Sequence, residues 1–361
     1  MARPLLSINT PARMLLLGLA SVLLTGCSTP DVILWTPDSS SIIYSDDAGR
    51  LIRYDLKRKA RKIIVADTKT DTPWPAISKD GKKLAVANIT TSEVKGSREA
   101  KHKLQLIFYD SLSGEKLSET KVHEYTTNLG EPAQRTTEDR QEEAALNWSG
   151  PPDKVLVVGG SGRWIYDLEK DNFIPIQGYP FPIYNRPVRP DGKGFLAFFP
   201  TKDGDSFVFY DWNGWETSIG KWKAKQDEQI LHCVWKKNIY QMSTTHRVVS
   251  IDTENRKITE RQVKPNFLAS SGELMVAFPF AGSDSQLCVF RQSKKDGGSR
   301  YHVEIQRPLL KQRKVVVTIQ GFHIISSLFP SPDNKLVAIR CSDKGILVIN
   351  AEGEIVANIA R

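Results

Sequence analysis

The sequence predicts an all-β chain, and three observations carry that expectation. Short apolar strands ending in a Tyr-Asp or Ile-Asp pair recur along it, Pro/Asp/Gly turns recur between them, and no long stretch sustains a helical period. Val, Ile, Tyr and Trp are plentiful, and their branched or flat side chains suit a pleated, half-buried surface.

The first recurring unit is a strand, an acidic knuckle and a second strand. Its copies are Arg53-Tyr54-Asp55-Leu56, Phe108-Tyr109-Asp110, Ile165-Tyr166-Asp167-Leu168, Phe209-Tyr210-Asp211-Trp212, Ser250-Ile251-Asp252 and Val348-Ile349-Asn350, with Val289-Phe290-Arg291 a weaker seventh. The acidic or amide side chain has a physical task. It accepts from a backbone N–H two residues on, closing an Asx turn that starts a hairpin.

The second unit precedes the first and is a strand, a tight turn and an alternating strand. Its turns are Trp35-Thr36-Pro37-Asp38, Ser78-Lys79-Asp80-Gly81, Pro151-Pro152-Asp153, Arg189-Pro190-Asp191-Gly192 and Ser331-Pro332-Asp333-Asn334. Ser270-Ser271-Gly272 and Trp235-Lys236-Lys237-Asn238 are degenerate copies. Proline presets φ, and Asp and Gly tolerate the turn.

Joined, the two units make strands a, b, c and d of one antiparallel sheet. Seven such units begin near residues 32, 73, 144, 184, 229, 265 and 323. One unit cannot bury both of its faces, so the repeats must stack. About seven four-stranded blades closed in a ring is a β-propeller, which leaves few open strand edges. Trp35, Trp148 and Trp235, beside the turns, are expected in the packing between blades. The Trp-x-Pro-Asp turn followed by Tyr-Asp-Leu resembles the WD-like repeat of TolB-type bacterial propellers, over nearly all of residues 32–361. The resemblance implies the fold. It does not transfer the TolB role, because TolB is soluble and carries an α/β domain ahead of its propeller.

Ahead of the repeats, Arg3 and Arg13 precede an apolar run from Met14 to Leu24. The run is shorter than the about 20 residues a bilayer span needs, and has the layout of a secretory signal peptide. It ends in Leu24-Thr25-Gly26-Cys27, which resembles the bacterial lipobox. That resemblance implies cleavage of residues 1–26, acylation of Cys27, and a short tether over 27–31. Acyl chains, at roughly 0.8 kcal/mol per buried methylene, hold a protein on a membrane almost permanently. Ser28 is not aspartate, which by the bacterial sorting rule implies the outer membrane, facing the periplasm.

The formal net charge is +9, and loss of Arg3 and Arg13 leaves +7. The excess is spread over Lys57-Arg58-Lys59 with Arg61-Lys62, residues 221–225 and residues 311–314, as expected of solvated hairpin tips. Nucleic acid is an unsuitable partner in this compartment. Cys233, Cys288 and Cys341 remain after Cys27. An exported protein permits one disulfide among them, and buried thiols acting as small hydrophobes are the alternative.

Chemistry-bearing patterns are weak. There is no Gly-x-Ser-x-Gly elbow. The histidines, at 102, 123, 232, 246, 302 and 323, show no metal-ligand spacing. Asp203 and Asp205 resemble half of a calcium loop and are expected in an ordinary turn. No catalytic residue, cofactor or metal is expected.

The long excursions all fall on the end of the ring that carries the b–c loops and d–a connections. They are a polar b–c loop over residues 90–103, a connection over 122–144 with 138–143 as a short helix, and the aromatic 178–184. Tyr179, Phe181 and Tyr184, with Trp222, are the candidate binding platform. Rigid rings of this kind suit a peptide or a sugar. The expected function is a lipid-anchored envelope scaffold that holds a protein partner on this loop-rich end. The alternative is a polysaccharide- or peptidoglycan-binding module. A propeller lyase, with its site in the central channel, is a third class.

Overall fold

The computed structural model describes residues 33–46, 48–68, 74–129, 131–133, 136–142, 144–159, 162–180, 187–225, 228, 230–262, 272–293, 299–320, 328–341 and 345–359. They form seven successive antiparallel sheets, the blades of a propeller. Blade 1 is β1 (Ile33–Trp35), β2 (Ser41–Ser45), β3 (Leu51–Asp55) and β4 (Ala60–Val65). Blade 2 is β5 (Ala76–Ile77), β6 (Lys83–Glu93), β7 (Glu99–Asp110) and β8 (Lys116–Glu119), joined by β9 (His123–Asn128) and β10 (Thr137–Glu142). Blade 3 is β11 (Ala144–Asn147), β12 (Lys154–Gly159), β13 (Arg163–Asp167) and β14 (Asn172–Pro175). Blade 4 is β15 (Tyr179–Pro180), β16 (Gly194–Thr201), β17 (Gly204–Asp211) and β18 (Glu216–Trp222). Blade 5 is β19 (Ile230–Lys236), β20 (Ile239–Thr244), β21 (Arg247–Asp252) and β22 (Lys257–Gln262). Blade 6 is β23 (Glu273–Pro279), β24 (Gln286–Ser293), β25 (Ser299–Arg307) and β26 (Gln312–Gln320). Blade 7 is β27 (Leu328–Pro330), β28 (Leu336–Cys341), β29 (Gly345–Asn350) and β30 (Ile355–Ile359).

The turns form for the reasons the sequence suggests. At the c–d turns, Asp55 Oδ1 accepts from Arg58 N at 2.8 Å, Asp211 from Asn213 N at 2.8 Å, Asp252 from Glu254 N at 3.0 Å, and Asn350 from Glu352 N at 3.1 Å. At the a–b turns a hydroxyl bridges the turn. Ser331 Oγ donates to Asp333 at 2.6 Å and accepts from Leu336 N at 3.0 Å, and Thr36 with Asp38 and Ser78 with Asp80 repeat the arrangement.

The core lies in the seams between blades. The middle strands are apolar on both faces because each face meets a different neighbour. In β12, Val155 and Val157 pack toward blade 2, while Leu156 packs toward blade 4. Fully burying one such side chain is worth about 1.5–3 kcal/mol. Trp35 and Trp148 are buried in these seams, and Trp235 is half-buried. Cys233, Cys288 and Cys341 are unbridged thiols, the last two buried.

The ring closes by packing one whole blade on another. β1 lies beside β27, Trp35 Nε1 donates to Phe329 O at 2.7 Å, and Arg340 Nη1 donates to Ser45 O at 3.0 Å. β30 completes blade 7 by pairing with β29, so the described termini exchange no strand.

Three expectations are corrected. In blade 6, Gly272, the described residue of the predicted Ser270-Ser271-Gly272 turn, leads into strand a rather than strand b, and Val289-Phe290-Arg291 lies in strand b. The reason is local. Strand c of this blade ends in Arg307-Pro308 with no aspartate, and its turn is a single 3-10 turn closed by Lys311 at φ 52°. Blade 4 begins at Tyr179 rather than near 184, because Tyr179 and Pro180 pair with Phe198 and Ala197. Of residues 90–103, all but the turn 94–98 are strand, and 138–142 are strand rather than helix; these strands belong to one projecting sheet.

Candidate functional site

The projecting sheet is the departure that breaks the regularity of the blades. β6 and β7 pair over eleven positions, Lys83–Asp110 to Glu93–Ala100, where the b–c strands of blades 1, 3 and 5 pair over five. Their inner halves carry β5 and β8 as an ordinary blade. Their outer halves carry β10 along β6 and β9 along β7, giving the order β10-β6-β7-β9. Strong alternation makes this possible. Ala100, His102 and Leu104 are buried, while Glu99, Lys101 and Lys103 between them are exposed.

The buried face is seated on blade 3 by rings. His102 is buried, with Nδ1 at 2.9 Å from Thr91 Oγ1 and Nε2 at 2.7 Å from Thr127 Oγ1, so both ring nitrogens are satisfied across three strands. Its ring stacks on Tyr125 at 4.7 Å, and Tyr125 meets the Trp164 ring of blade 3 edge-on at 4.7 Å. His123 stacks between Tyr125 at 5.7 Å and Phe173 at 4.9 Å, with Trp164 at its side. Burial among these rings pushes the His123 pKa below its ordinary value. Trp164 can sit there because residue 162 is glycine, where a Cβ would overlap the indole. Below the seat is a cavity of about 110 Å³ lined by Lys83, Phe108, Leu117, Ser118, Glu119, Tyr166 and Leu168. That is room for a few waters rather than an organic ligand, whose pockets run from about 300 Å³. The opposite face of the projection offers Lys101, Lys103, Glu124 and Thr126 to solvent.

Of the predicted aromatic platform, Tyr179 and Trp222 are among the described residues, and these two face different neighbours. Tyr179 lies on β15, 45% exposed, with the Arg163 guanidinium 3.4 Å above its ring. Trp222, at the end of β18, is 3% exposed and turned into the seam between blades 4 and 5. Its partners there are Phe207 at 6.5 Å and the Arg247 guanidinium at 5.4 Å. The two rings therefore face different neighbours, because the apolar face of β18 is covered by blade 5. Phe181 and Tyr184, like Cys27, lie outside the described residues.

A buried ion pair beside Trp222 carried no sequence signal. Arg247 donates Nε to Glu228 Oε1 at 2.9 Å and Nη2 to Oε2 at 2.8 Å, a two-pronged pairing, and also bonds Glu260 and Lys223 O. Thr244 Oγ1 donates to Glu228 Oε1 at 2.6 Å. Burial works against the Glu228 charge, yet the bonds from Arg247, Lys225 N and Thr244 hold its pKa below the ordinary value. Asp205, beside Trp222 in the register, is pushed up to about 6 by burial. Asp203 and Asp205 flank an ordinary b–c hairpin, and no group of three or more metal-ligating side chains occurs among the described residues.

No protein-family profile matches this chain, and no curated protein matches it by sequence. Among solved structures it is similar to dihydro-heme d1 dehydrogenase NirN in complex with DHE, at 14% identity and TM-score 0.47, covering 91% of this chain and 64% of that one. It is also similar to the RRP9 WD40 repeats, at 12% identity and TM-score 0.44 over 89% and 90% of the two chains. A chain of the mitotic checkpoint complex is similar at 13% identity and TM-score 0.49 over 88% and 86%. This chain thus spans less than two thirds of the NirN chain. Likenesses at this level carry no functional argument. The class is defined by the protein's own sheets: a β-propeller with seven blades among the described residues and a four-stranded projection on blade 2.

Proposed function

We propose that this protein is a non-catalytic scaffold of the bacterial envelope, similar in its repeats to TolB-type propellers and held on a membrane by acylated Cys27. Residues 1–26 are its signal peptide and 27–31 its tether. By the serine at 28, it sits on the outer membrane facing the periplasm. The observation that carries the scaffold reading is the projection itself. A sheet that leaves the blade, is pinned by a satisfied buried histidine and an aromatic seat, and shows a polar outer face is a rigid presenting surface for a protein partner. The platform a glycan-binding module would need loses support from the separation of Tyr179 and Trp222.

The test is photo-crosslinking in cells from probes at Lys101, Lys103 and Glu124, with control probes at Lys193 and Asn213 on the other end. One abundant protein adduct from the projection alone supports the scaffold. Adducts from neither end would overturn it. Separately, Cys27→Ala should abolish acyl labelling, and persistent labelling rules out the anchor.

A further inference from the structure

We infer that the tip of the blade 2 projection rests on the bilayer surface, turning the loop end of the propeller toward the lipid; this rests on the acylated-Cys27 reading. Two lengths carry it. From Cys27 to Ile33 is six residues, a reach of at most ~21 Å when fully extended. Ile33 lies at the loop end of blade 1, because its register partner Tyr44 is the residue before the last of β2, and β2 runs toward the b–c turn. The acyl chains therefore hold that end within about 21 Å.

The projection rises from the adjoining blade at the same end. Blades 1 and 2 share a seam in which Ile43 and Leu51 pack with Leu84 and Val86. Eleven paired positions against five leaves six further rows in the projection. At ~3.4 Å per residue these raise its tip roughly 20 Å above the b–c hairpins of blades 1, 3 and 5, and about 10 Å above those of blades 4 and 6, which pair over eight positions. Tether reach and projection height match. An acylated chain thus places the tip at the headgroups rather than holding the ring clear of them.

The tip has the chemistry for that contact. Val94 is 59% exposed and Leu129 37%. They lie on neighbouring segments tied by three backbone bonds, Leu129 N to Arg98 O, Gly96 N to Ala133 O and Ala133 N to Ser97 O, at 2.8–2.9 Å. Lys95 and Arg98 are offset by Glu93, Glu99 and Glu131, so the attraction is interfacial and apolar rather than a pull on anionic lipid. Raising salt should leave it unchanged. Trp215, Leu309 and Leu112, the most exposed large apolar residues of the opposite end, then point away from the membrane.

The experiment uses the full lipidated protein in phosphatidylcholine vesicles, with an environment-sensitive dye on Lys95→Cys or, as control, on Lys193→Cys. Background labelling is low, since burial pushes the Cys233 thiol up to about 12 and raises the Cys288 thiol as well. The dye at 95 is expected to shift to the blue and brighten at least threefold, at low and high salt alike, while the dye at 193 does not change. A twenty-residue Gly/Ser spacer after residue 31, or Val94→Asp with Leu129→Asp, should remove the change at 95 without detaching the protein. Equal signals at 95 and 193 on protein whose intact mass shows the acyl chains would overturn the orientation alone. A mass without acyl chains would overturn the anchor and this inference together.

Discussion

Two seams of the ring are closed near their loop ends by different chemistry. Between blades 2 and 3 the closure is a stack of rings, His102, Tyr125, His123, Trp164 and Phe173. Between blades 4 and 5 it is the Arg247–Glu228 pair, its side chains 6% and 0% exposed, beneath Trp222. The ring stack asks for no buried charge and gains from area and geometry, so it can carry a load standing outside the blade. The ion pair gains little net stability, because desolvation offsets attraction, but it is costly to break. It pins the start of β21 to the connection that leads out of blade 4, and supports no projection. The lesson is that the same position in the fold can serve either as a foundation or as a latch.

The largest separation of the two comes from removing the foundation. Trp164→Ala should cost about 4 kcal/mol, as large aromatic truncations in cores do. Its signature is local: amide exchange should rise in β9 and β10 well before it rises in β21. Uniform exchange across the ring would sink the idea that Trp164 seats the projection. Next in size, Arg247→Ala strands the Glu228 carboxylate and should cost about 3 kcal/mol in thermal or denaturant unfolding. Replacing both, Arg247→Met with Glu228→Leu, should cost less than the single change; a larger cost would mean the pair contributes net attraction. Smaller again, Gly162→Ala should displace the Trp164 indole and cost about 1–2 kcal/mol, in the range of overpacking. It should also loosen β9 while leaving Arg247 untouched.

Much of the fold was legible because it is written in turns. The aspartates at 55, 110, 167, 211 and 252 and the Ser/Thr-x-Asp turns at 36, 78 and 331 each perform a local backbone task that the residue type alone reveals. Blade 6 was misread where that chemistry lapses, at Arg307-Pro308. The site was far less legible. Residues 90–103 are polar and carry Gly96-Ser97, which resembles a loop. Yet the alternation Ala100, His102, Leu104 against Lys101 and Lys103 was a strand signal in plain view. That β9 would pair beside it and lean on Trp164 depends on partners over twenty residues away. Trp222 and its neighbouring lysines resembled an exposed platform because nothing in the segment shows that blade 5 covers it. Glu228 and Arg247 meet only through the turn of the blades.

The smallest effect is also the most selective, because acid acts on the two seams with opposite sign. Asp205, raised to about 6 by burial beside Trp222, adds stability to the blade 4–5 seam as pH falls through that value, whereas the blade 2–3 seam loses it. His123 sits among Tyr125, Phe173 and Trp164, none of which offers a charge, and burial lowers its pKa from 6.5. A lowered native value means the unfolded chain takes the proton first. The stability tied to the neutral ring is therefore intact above pH 6.5, and declines as pH falls from there through the native pKa. Glu228 is also lowered, but from 4.5, so its contribution is intact above that pH and is lost as pH falls from there through the native pKa. Between pH 7 and 5, protection of β9 should fall while that of β21 holds or rises. His123→Phe keeps a ring between Tyr125 and Phe173 and removes the titration, so it should flatten the response of β9. If β9 in that variant still loosens on acidification, the pH dependence belongs to another group and the foundation is not gated by His123.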